Sequence, residues 1–136
     1  MAAPEDPSAA GPRVLVVDDY QDGADSLTLM LRTLGADARA VYDGETALSS
    51  AVAFQPALVL LDLSLPGVSG LDVARALKGL SGLASTRLVA LSGWSDEATR
   101  HETEVAGFDE YVVKPVALEK VRELLAALAV PPTAAS

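Results

Sequence analysis

Short unbroken runs of apolar residues alternate along the chain with longer stretches whose apolar residues recur every three or four positions. The apolar runs at residues 14–17 and 57–61 have the length of strands, and their lack of polar residues is typical of strands buried on both faces. The longer stretches have the spacing of one helical face. The clearest of these faces, which precedes Gly35, is formed by Leu27, Met30, Leu31 and Leu34.

The remaining elements continue this alternation. The sequence predicts further strands at residues 36–41, 88–91 and 111–113, and further helices at residues 45–54, 71–80, 96–106 and 118–128. Ser95 is the expected N-cap of the helix at 96–106. Strand–helix pairs repeated five times predict an α/β fold, with a doubly wound parallel sheet between two layers of helices.

Composition and the two ends of the chain set the limits of this domain. The 136 residues fit one domain, and 50% of them are hydrophobic, so a core can form. Residues 13–129 hold all the predicted elements, whereas residues 1–12 and 130–136 are predicted to be flexible tails. No apolar run is long enough to cross a bilayer and no signal peptide is recognisable, so the cytoplasm is the simplest location.

The formal net charge of −9 narrows the expected partners. Such a chain repels nucleic acid phosphates and anionic lipid surfaces, so we expect neither direct nucleic acid binding nor membrane binding. Cysteine is absent, which excludes disulfides and thiolate zinc sites. The single histidine, His101, lies in a polar helix and is expected to be exposed, so a site built from several histidines is poorly supported.

Polar residues follow four of the five predicted strands. Asp18 and Asp19 come after the first strand, Asp62 after the third, Ser92 after the fourth and Lys114 after the fifth. The carboxyl ends of parallel strands share one edge of the sheet, and ligands of such folds bind at that edge. These side chains are therefore predicted to line one crevice.

This set of side chains favours phosphoryl chemistry with a divalent ion. Crowded carboxylates repel each other and need a cation, and oxygen ligands favour Mg²⁺ or Mn²⁺. Mg²⁺ also accepts phosphate oxygens as ligands, and Lys114 and the Ser92 hydroxyl could contact those oxygens. Asp62 is then the expected nucleophile, because a carboxylate oxygen can attack phosphorus.

These residues stand in the order and at the spacing of a known family. The motifs are Val-Val-Asp18-Asp19, Leu-Leu-Asp62-Leu-Ser-Leu-Pro66-Gly67, Ala-Leu-Ser92-Gly93 and Tyr111-Val-Val-Lys114-Pro115. With them, the chain resembles the receiver domain of bacterial two-component response regulators over about residues 13–129, and residues 106–116 are especially similar to receivers attached to hybrid sensor kinases. The resemblance implies a flavodoxin-like (βα)5 fold with five helices and strand order 2-1-3-4-5.

The resemblance also implies roles at the predicted site. Asp62 is the implied phosphoacceptor, and Lys114 is implied to contact the phosphoryl group. The bond between Lys114 and Pro115 is commonly cis in this family, and X-Pro is the bond for which the cis form costs least. The implied ligands of Mg²⁺ are Asp18, Asp19, Asp62 and the backbone carbonyl of Ser64.

A signalling role, distinct from conventional enzymatic turnover, follows from the same resemblance. The implied phosphoryl donor is a histidine of a sensor histidine kinase or of a histidine phosphotransfer protein. Phosphorylation adds about two negative charges. Ser92 and Tyr111 are implied to move inward together in response, which would alter a surface that a downstream protein partner binds.

Two other functions stay open at this point. An Mg²⁺-dependent phosphatase with an aspartate nucleophile, like the haloacid-dehalogenase group, needs a second acid two residues after the nucleophile, where this chain has Ser64. A protein-interaction module that is never phosphorylated would be expected to lack one of the acids or the lysine, and none is missing.

Trp94, the only tryptophan, stands two residues after Ser92 and has two competing interpretations. In the first, its ring flanks the phosphorylation site and prolongs the phosphorylated state by obstructing water. In the second, it anchors a partner protein, because exposed aromatic residues are typical anchors of interfaces.

Overall fold

The computed structural model describes residues 11–80 and 82–129. Its strands are β1 (Arg13–Val17), β2 (Asp37–Val41), β3 (Leu58–Asp62), β4 (Arg87–Ser92) and β5 (Glu110–Val113). Its helices are α1 (Gln21–Thr33), α2 (Gly44–Phe54), α3 (Gly70–Lys78), α4 (Glu97–Ala106) and α5 (Leu118–Ala129). The predicted tails fall almost wholly outside the described residues, at 1–10 and 130–136, so the domain limits stay a prediction.

The five strands form one parallel sheet in the order β2-β1-β3-β4-β5. This order confirms the predicted fold class. The chain passes from β1 to β2 on one side of β1 and then crosses to β3 on the other side, so the direction of winding reverses between β1 and β3. In open parallel sheets, a crevice opens beyond the carboxyl ends of the two strands at such a reversal.

Two apolar cores lie on opposite faces of the sheet. Helices α1 and α5 cover one face, and α2, α3 and α4 cover the other. Successive residues of a strand point to opposite faces, so β1 contributes Leu15 and Val17 to one core and Val14 and Val16 to the other. Residues 58–61 of β3 have no exposed surface. This burial fixes the strand that ends at Asp62 firmly in the centre of the sheet.

The N-terminus of α4 differs from the sequence prediction. Ser95 is exposed, and Asp96 caps the helix in its place. The Asp96 carboxylate accepts the backbone N–H of Thr99 at 2.7 Å and the Thr99 hydroxyl at 3.1 Å, and these hydrogen bonds lower the pKa of Asp96. A carboxylate also interacts favourably with the positive end of the helix dipole, which favours Asp96 over its neutral neighbour.

The other element boundaries lie within two residues of those predicted. The largest difference is in α3, which ends at Lys78, two residues before the predicted end. Gly79 takes the C-cap position, as expected for a residue with low helix propensity. In the described ranges, none of the helices is both long and apolar enough to cross a membrane.

Candidate phosphoryl-transfer site

Three carboxylates meet at the crevice between β1 and β3. Asp18 and Asp19 directly follow β1, and Asp62 is the last residue of β3, the neighbouring strand. One oxygen from each carboxylate lies within 4.8 Å of the others. Asp18 and Asp62 are buried, at 5% and 3% exposure, while Asp19 faces solvent. Carboxylate oxygens gathered at this spacing suit a hard divalent cation, so the residues fit Mg²⁺.

Lys114 reaches this cluster from the end of β5, an edge strand of the sheet that lies two strands away from β3. It follows β5, where its backbone N–H donates to the carbonyl of Ser92 at 2.7 Å and continues the pairing of β5 with β4. Its ammonium Nζ lies 3.2 Å from Asp18 Oδ2 and 3.3 Å from Asp62 Oδ2. The three carboxylates outnumber this one ammonium, so the cluster keeps an excess of negative charge.

The charges in the crevice shift each other's pKa. Burial is the largest cause that raises the pKa of Asp62, and the nearby Asp18 raises it further, against the opposing effects of the Ser64 N–H and of Lys114. Burial would lower the pKa of Lys114, but the attraction of Asp62 and Asp18 outweighs it and raises that pKa overall. Proton or cation binding would therefore relieve repulsion between the acids.

Backbone N–H groups orient the two buried acids. Asp62 Oδ1 accepts the N–H of Ser64 at 3.0 Å, and Asp18 Oδ1 accepts the N–H of Tyr20 at the same distance. Each carboxylate is thus held through one oxygen, and its second oxygen, Oδ2, is the atom that contacts Lys114. The arrangement presents both acids to the crevice in a defined orientation.

Gly70 allows α3 to begin directly against the backbone of Asp62. A Cβ atom at Gly70 would lie 2.8 Å from the Asp62 carbonyl oxygen and 2.8 Å from Leu63 Cα. A side chain there would push the helix away from the end of β3. The sequence analysis did not identify Gly70. Ser69, whose hydroxyl accepts the Leu71 N–H at 3.1 Å, signals a helix start but not this close approach.

Ser92 and Tyr111 are joined through the backbone of Trp94. Ser92 is the last residue of β4, 1% exposed, and its Oγ accepts the Trp94 N–H at 3.1 Å. The Tyr111 hydroxyl donates to the Trp94 carbonyl at 2.5 Å, and the Tyr111 ring is buried. The guanidinium carbon of Arg100 lies 4.6 Å from the centre of the Tyr111 ring, a contact that the sequence analysis did not anticipate.

The remaining predicted residues lie around this core of the site. The Trp94 side chain is 67% exposed, and His101 is exposed on α4. The Lys114–Pro115 bond is cis. Pro115 lies in the wall of an apolar cavity of about 500 Å³ that opens beside Asp18 and Lys114.

The family of the chain follows from a match along most of its length. The sequence model of the response regulator receiver domain matches residues 14–126. The chain belongs to this family. Its strand order agrees with the one predicted from the resemblance, and its acidic edge agrees with the one predicted from the residues that follow the strands.

Among curated proteins, this receiver is similar to the DNA-binding response regulator MtrA of Mycolicibacterium smegmatis, with 42% identity over 114 residues. The match covers 84% of this chain and 47% of MtrA, so the chain spans about half the length of that relative.

Among the solved structures that are similar to this receiver, two are described with a divalent ion. The first is the receiver domain of the sensor histidine kinase PA1611 of Pseudomonas aeruginosa PAO1, described with a magnesium ion coordinated in the active site cleft. It is 25% identical to this chain with a TM-score of 0.81, and the match covers 89% of this chain and 100% of that chain.

The second is a response regulator of Burkholderia pseudomallei, described with a phosphorylated aspartic acid and a calcium ion. It is 28% identical to this chain with a TM-score of 0.77, and the match covers 84% of this chain and 66% of that chain.

One prediction about partners is wrong. The net charge of −9 led us to exclude direct nucleic acid binding, yet the MtrA proteins that match this receiver are named DNA-binding response regulators. The net charge is a sum over this chain alone, and the match with this chain covers only 47% of MtrA. The charge of one part of a protein does not determine which surfaces elsewhere in it contact DNA.

Proposed function

We propose that this receiver accepts a phosphoryl group on Asp62 from a phosphohistidine donor, in a reaction that requires Mg²⁺. The observation that carries the proposal is the position of Lys114 Nζ, within 3.3 Å of Asp18 and Asp62 in a cluster of three carboxylates. An ion pair that only stabilises the fold needs a single acid. The Lys114 ammonium instead lies between Asp18 and Asp62, which form one cluster with Asp19.

The proposed Mg²⁺ ligands are the carboxylates of Asp18, Asp19 and Asp62 together with the backbone carbonyl of Ser64. Mn²⁺ would suit the same oxygen atoms. When bound, the ion would neutralise negative charge on the crowded carboxylates and on the incoming phosphoryl oxygens. The magnesium ion described in the active site cleft of the Pseudomonas receiver supports this assignment.

The chemical step is carried by Asp62. One of its carboxylate oxygens attacks phosphorus while the bond between phosphorus and the donor's imidazole nitrogen breaks, and the electron pair of that bond stays on the imidazole. Asp62 must be ionised to attack, which Lys114 favours. The ammonium of Lys114 then contacts the phosphoryl oxygens, and the Ser92 hydroxyl donates a hydrogen bond to them.

Phosphorylation would then act through Ser92 and Tyr111. If the Ser92 hydroxyl turns toward the phosphoryl group, its hydrogen bond with the Trp94 N–H changes, and the Trp94 carbonyl connects that change to Tyr111. Tyr111 lies on β5, between α4 and α5, so these three elements form the proposed protein-interaction surface. The phosphorylated aspartic acid of the Burkholderia protein supports the first step of this sequence.

Incubation with acetyl phosphate and Mg²⁺, followed by intact-mass measurement, tests the proposal. We expect one phosphoryl adduct on the wild-type chain and none on Asp62→Asn or in the presence of EDTA. A wild type without an adduct would favour a module that is never phosphorylated. Continuous release of phosphate from a general phosphomonoester, at many turnovers per chain, would favour the aspartate-nucleophile phosphatase.

A further inference from the structure

Arg100 lies over the ring of Tyr111 although nothing in the proposed chemistry uses it. It stands in the first turn of α4, where its backbone N–H donates to the Asp96 carbonyl at 3.1 Å. Its guanidinium carbon is 4.6 Å from the centre of the Tyr111 ring, within the range of a cation–π contact. Among the described residues it forms no ion pair, so the ring is the main feature that fixes its position.

A continuous series of contacts connects the site to this arginine. Ser92 Oγ accepts the Trp94 N–H, the Trp94 carbonyl accepts the Tyr111 hydroxyl, and the Tyr111 ring lies under the Arg100 guanidinium. Ser92 and Tyr111 belong to β4 and β5, whereas Arg100 belongs to α4. The arginine is therefore the point at which the series passes from the sheet to a helix.

We propose that Arg100 is a positioning residue that holds Tyr111 in its buried orientation and thereby couples the state of Asp62 to helix α4. The inference rests on the proposed function, because it concerns the regulation of the phosphorylation site. When two interactions favour the same conformation of a protein, each one strengthens the other. If the cation–π contact stabilises the conformation with Tyr111 buried, and a phosphoryl group on Asp62 favours the same conformation, the phosphorylated state is more stable when Arg100 is present.

The size of the expected effect follows from the exposure of Arg100. A cation–π contact at an exposed site contributes modestly, and its loss corresponds to about a two- to fivefold change in an equilibrium constant. The same contact should not affect Mg²⁺ binding, since Arg100 touches none of the three carboxylates. Removal of Arg100 is therefore expected to weaken the binding of a phosphoryl analogue and to leave the affinity for Mg²⁺ unchanged.

The first experiment compares Arg100→Met with Arg122→Met, which removes an equal charge from an exposed arginine on α5. The probe is beryllofluoride, a phosphoryl analogue, titrated at saturating Mg²⁺ and followed by ¹⁹F NMR, with calorimetry for Mg²⁺ alone. We expect Arg100→Met to weaken beryllofluoride binding about two- to fivefold, Arg100→Lys to restore part of it, and Arg122→Met and all Mg²⁺ affinities to be unchanged. Equal weakening in both methionine variants would overturn the proposal.

The second experiment tests whether Arg100 acts through the Tyr111 ring. Arg100→Met is combined with Tyr111→Phe, which keeps the ring, and with Tyr111→Leu, which removes it. In a double-mutant cycle, the loss caused by Arg100→Met should persist beside phenylalanine and disappear beside leucine. A loss of the same size in both backgrounds would show that Arg100 acts elsewhere, and the proposal would be abandoned.

Failure of the proposed function has a different signature. In that case the wild-type chain would bind no beryllofluoride and gain no phosphoryl adduct, whatever residue stands at position 100. A wild type that binds beryllofluoride, together with an Arg100→Met variant that binds it equally well, would instead overturn the role of Arg100 and leave the role of Asp62 intact.

Discussion

At the carboxyl edge of the sheet one ammonium contacts two carboxylates of a cluster of three, whereas at the amino edge Lys78 and Arg87 each face one acid. Lys78 also donates to the Thr86 carbonyl at 2.9 Å, and Asp109 Oδ2 accepts the buried N–H of Leu88 at 2.8 Å. At the amino edge, each of these two cations thus has an acid of the chain itself as its partner. The carboxyl edge leaves negative charge to be balanced by something that binds.

This contrast explains why ionisable residues at the two edges have different consequences. An acid that accepts a backbone hydrogen bond and faces a cation, with no other acid crowding it, stabilises the fold. An acid crowded by other acids costs stability, and the cost is offset when a cation or a proton binds. The following predictions break or sharpen the contrast, from the largest expected effect to the smallest.

The largest effect is expected from removing the ammonium at the carboxyl edge. Lys114→Ala should slow phosphorylation by acetyl phosphate on the order of a hundredfold, the usual loss when one preorganised charge-stabilising donor is deleted. Intact-mass measurement over time at saturating Mg²⁺ gives the rate. Lys120→Ala is the control, because that lysine pairs with Glu110 and Glu123 and not with the site acids. A Lys114→Ala rate within about threefold of wild type would exclude the proposed role.

Balancing the carboxyl edge with an ion should stabilise the whole domain. At a Mg²⁺ concentration of about a hundred times the dissociation constant, the free energy of unfolding should rise by about 2.7 kcal/mol over its value in EDTA. Asp19→Asn should lose most of this increase, since Asp19 is an exposed member of the cluster whose replacement leaves the core intact. Asp22→Asn, at an exposed acid of α1, should keep it. Urea unfolding with and without Mg²⁺ measures both.

Neutralising Asp62 should stabilise the ion-free domain, in contrast to the removal of Asp109. The pKa of Asp62 is raised in the fold, so its favourable contribution is present below the pKa of the unfolded carboxyl and is lost as the pH rises through the folded-state pKa. At neutral pH, Asp62→Asn should therefore raise the free energy of unfolding by on the order of 1 kcal/mol in EDTA. The gain should shrink as the pH falls.

Asp109→Ala is the matched substitution at the amino edge. It leaves the buried N–H of Leu88 without its carboxylate acceptor, which should lower the free energy of unfolding by about 1–3 kcal/mol. Urea unfolding in EDTA measures both variants across the pH range. If both substitutions destabilise the domain at neutral pH, the proposed difference between the two edges does not exist.

The two edges also differ in how far the sequence predicts them. The alternation of apolar runs predicts the order of strands and helices, and the polar residues at four of the five strand ends predict which side chains share the carboxyl edge. The order of the strands came from the resemblance, because periodicity carries no information about which strands are neighbours. The contacts of Lys78 with Asp109 and Thr86 depend on packing between distant segments, and no local pattern indicates them.

Three local features were missed or misjudged for physical reasons. Ser95 and Asp96 are both good N-caps, and only the helix register decides between them. The close approach of Gly70 to the Asp62 backbone depends on tertiary packing. Arg100 stands in a polar, exposed helix, where the pattern predicts a solvated side chain, and the ring beneath it comes from a strand eleven residues later.

The smallest effect concerns Trp94, where the two interpretations predict different rates of dephosphorylation. Its backbone forms hydrogen bonds with the Ser92 and Tyr111 hydroxyl groups, and its side chain is 67% exposed beside the carboxyl edge. If the ring obstructs water, Trp94→Ala should speed loss of the phosphoryl group from Asp62 by less than about tenfold, which corresponds to a barrier lowered by less than 1.36 kcal/mol. Trp94→Phe should retain part of the protection.

Val105 provides the control for Trp94, because it is an apolar side chain of α4 with the same 67% exposure. Val105→Ala should leave the rate of dephosphorylation unchanged, which separates obstruction near the site from a general loss of apolar surface. Intact-mass measurement after removal of acetyl phosphate gives the rates. If Trp94→Ala and wild type lose the phosphoryl group equally fast, the ring does not protect the site, and its exposure then favours a role as an anchor for a partner protein.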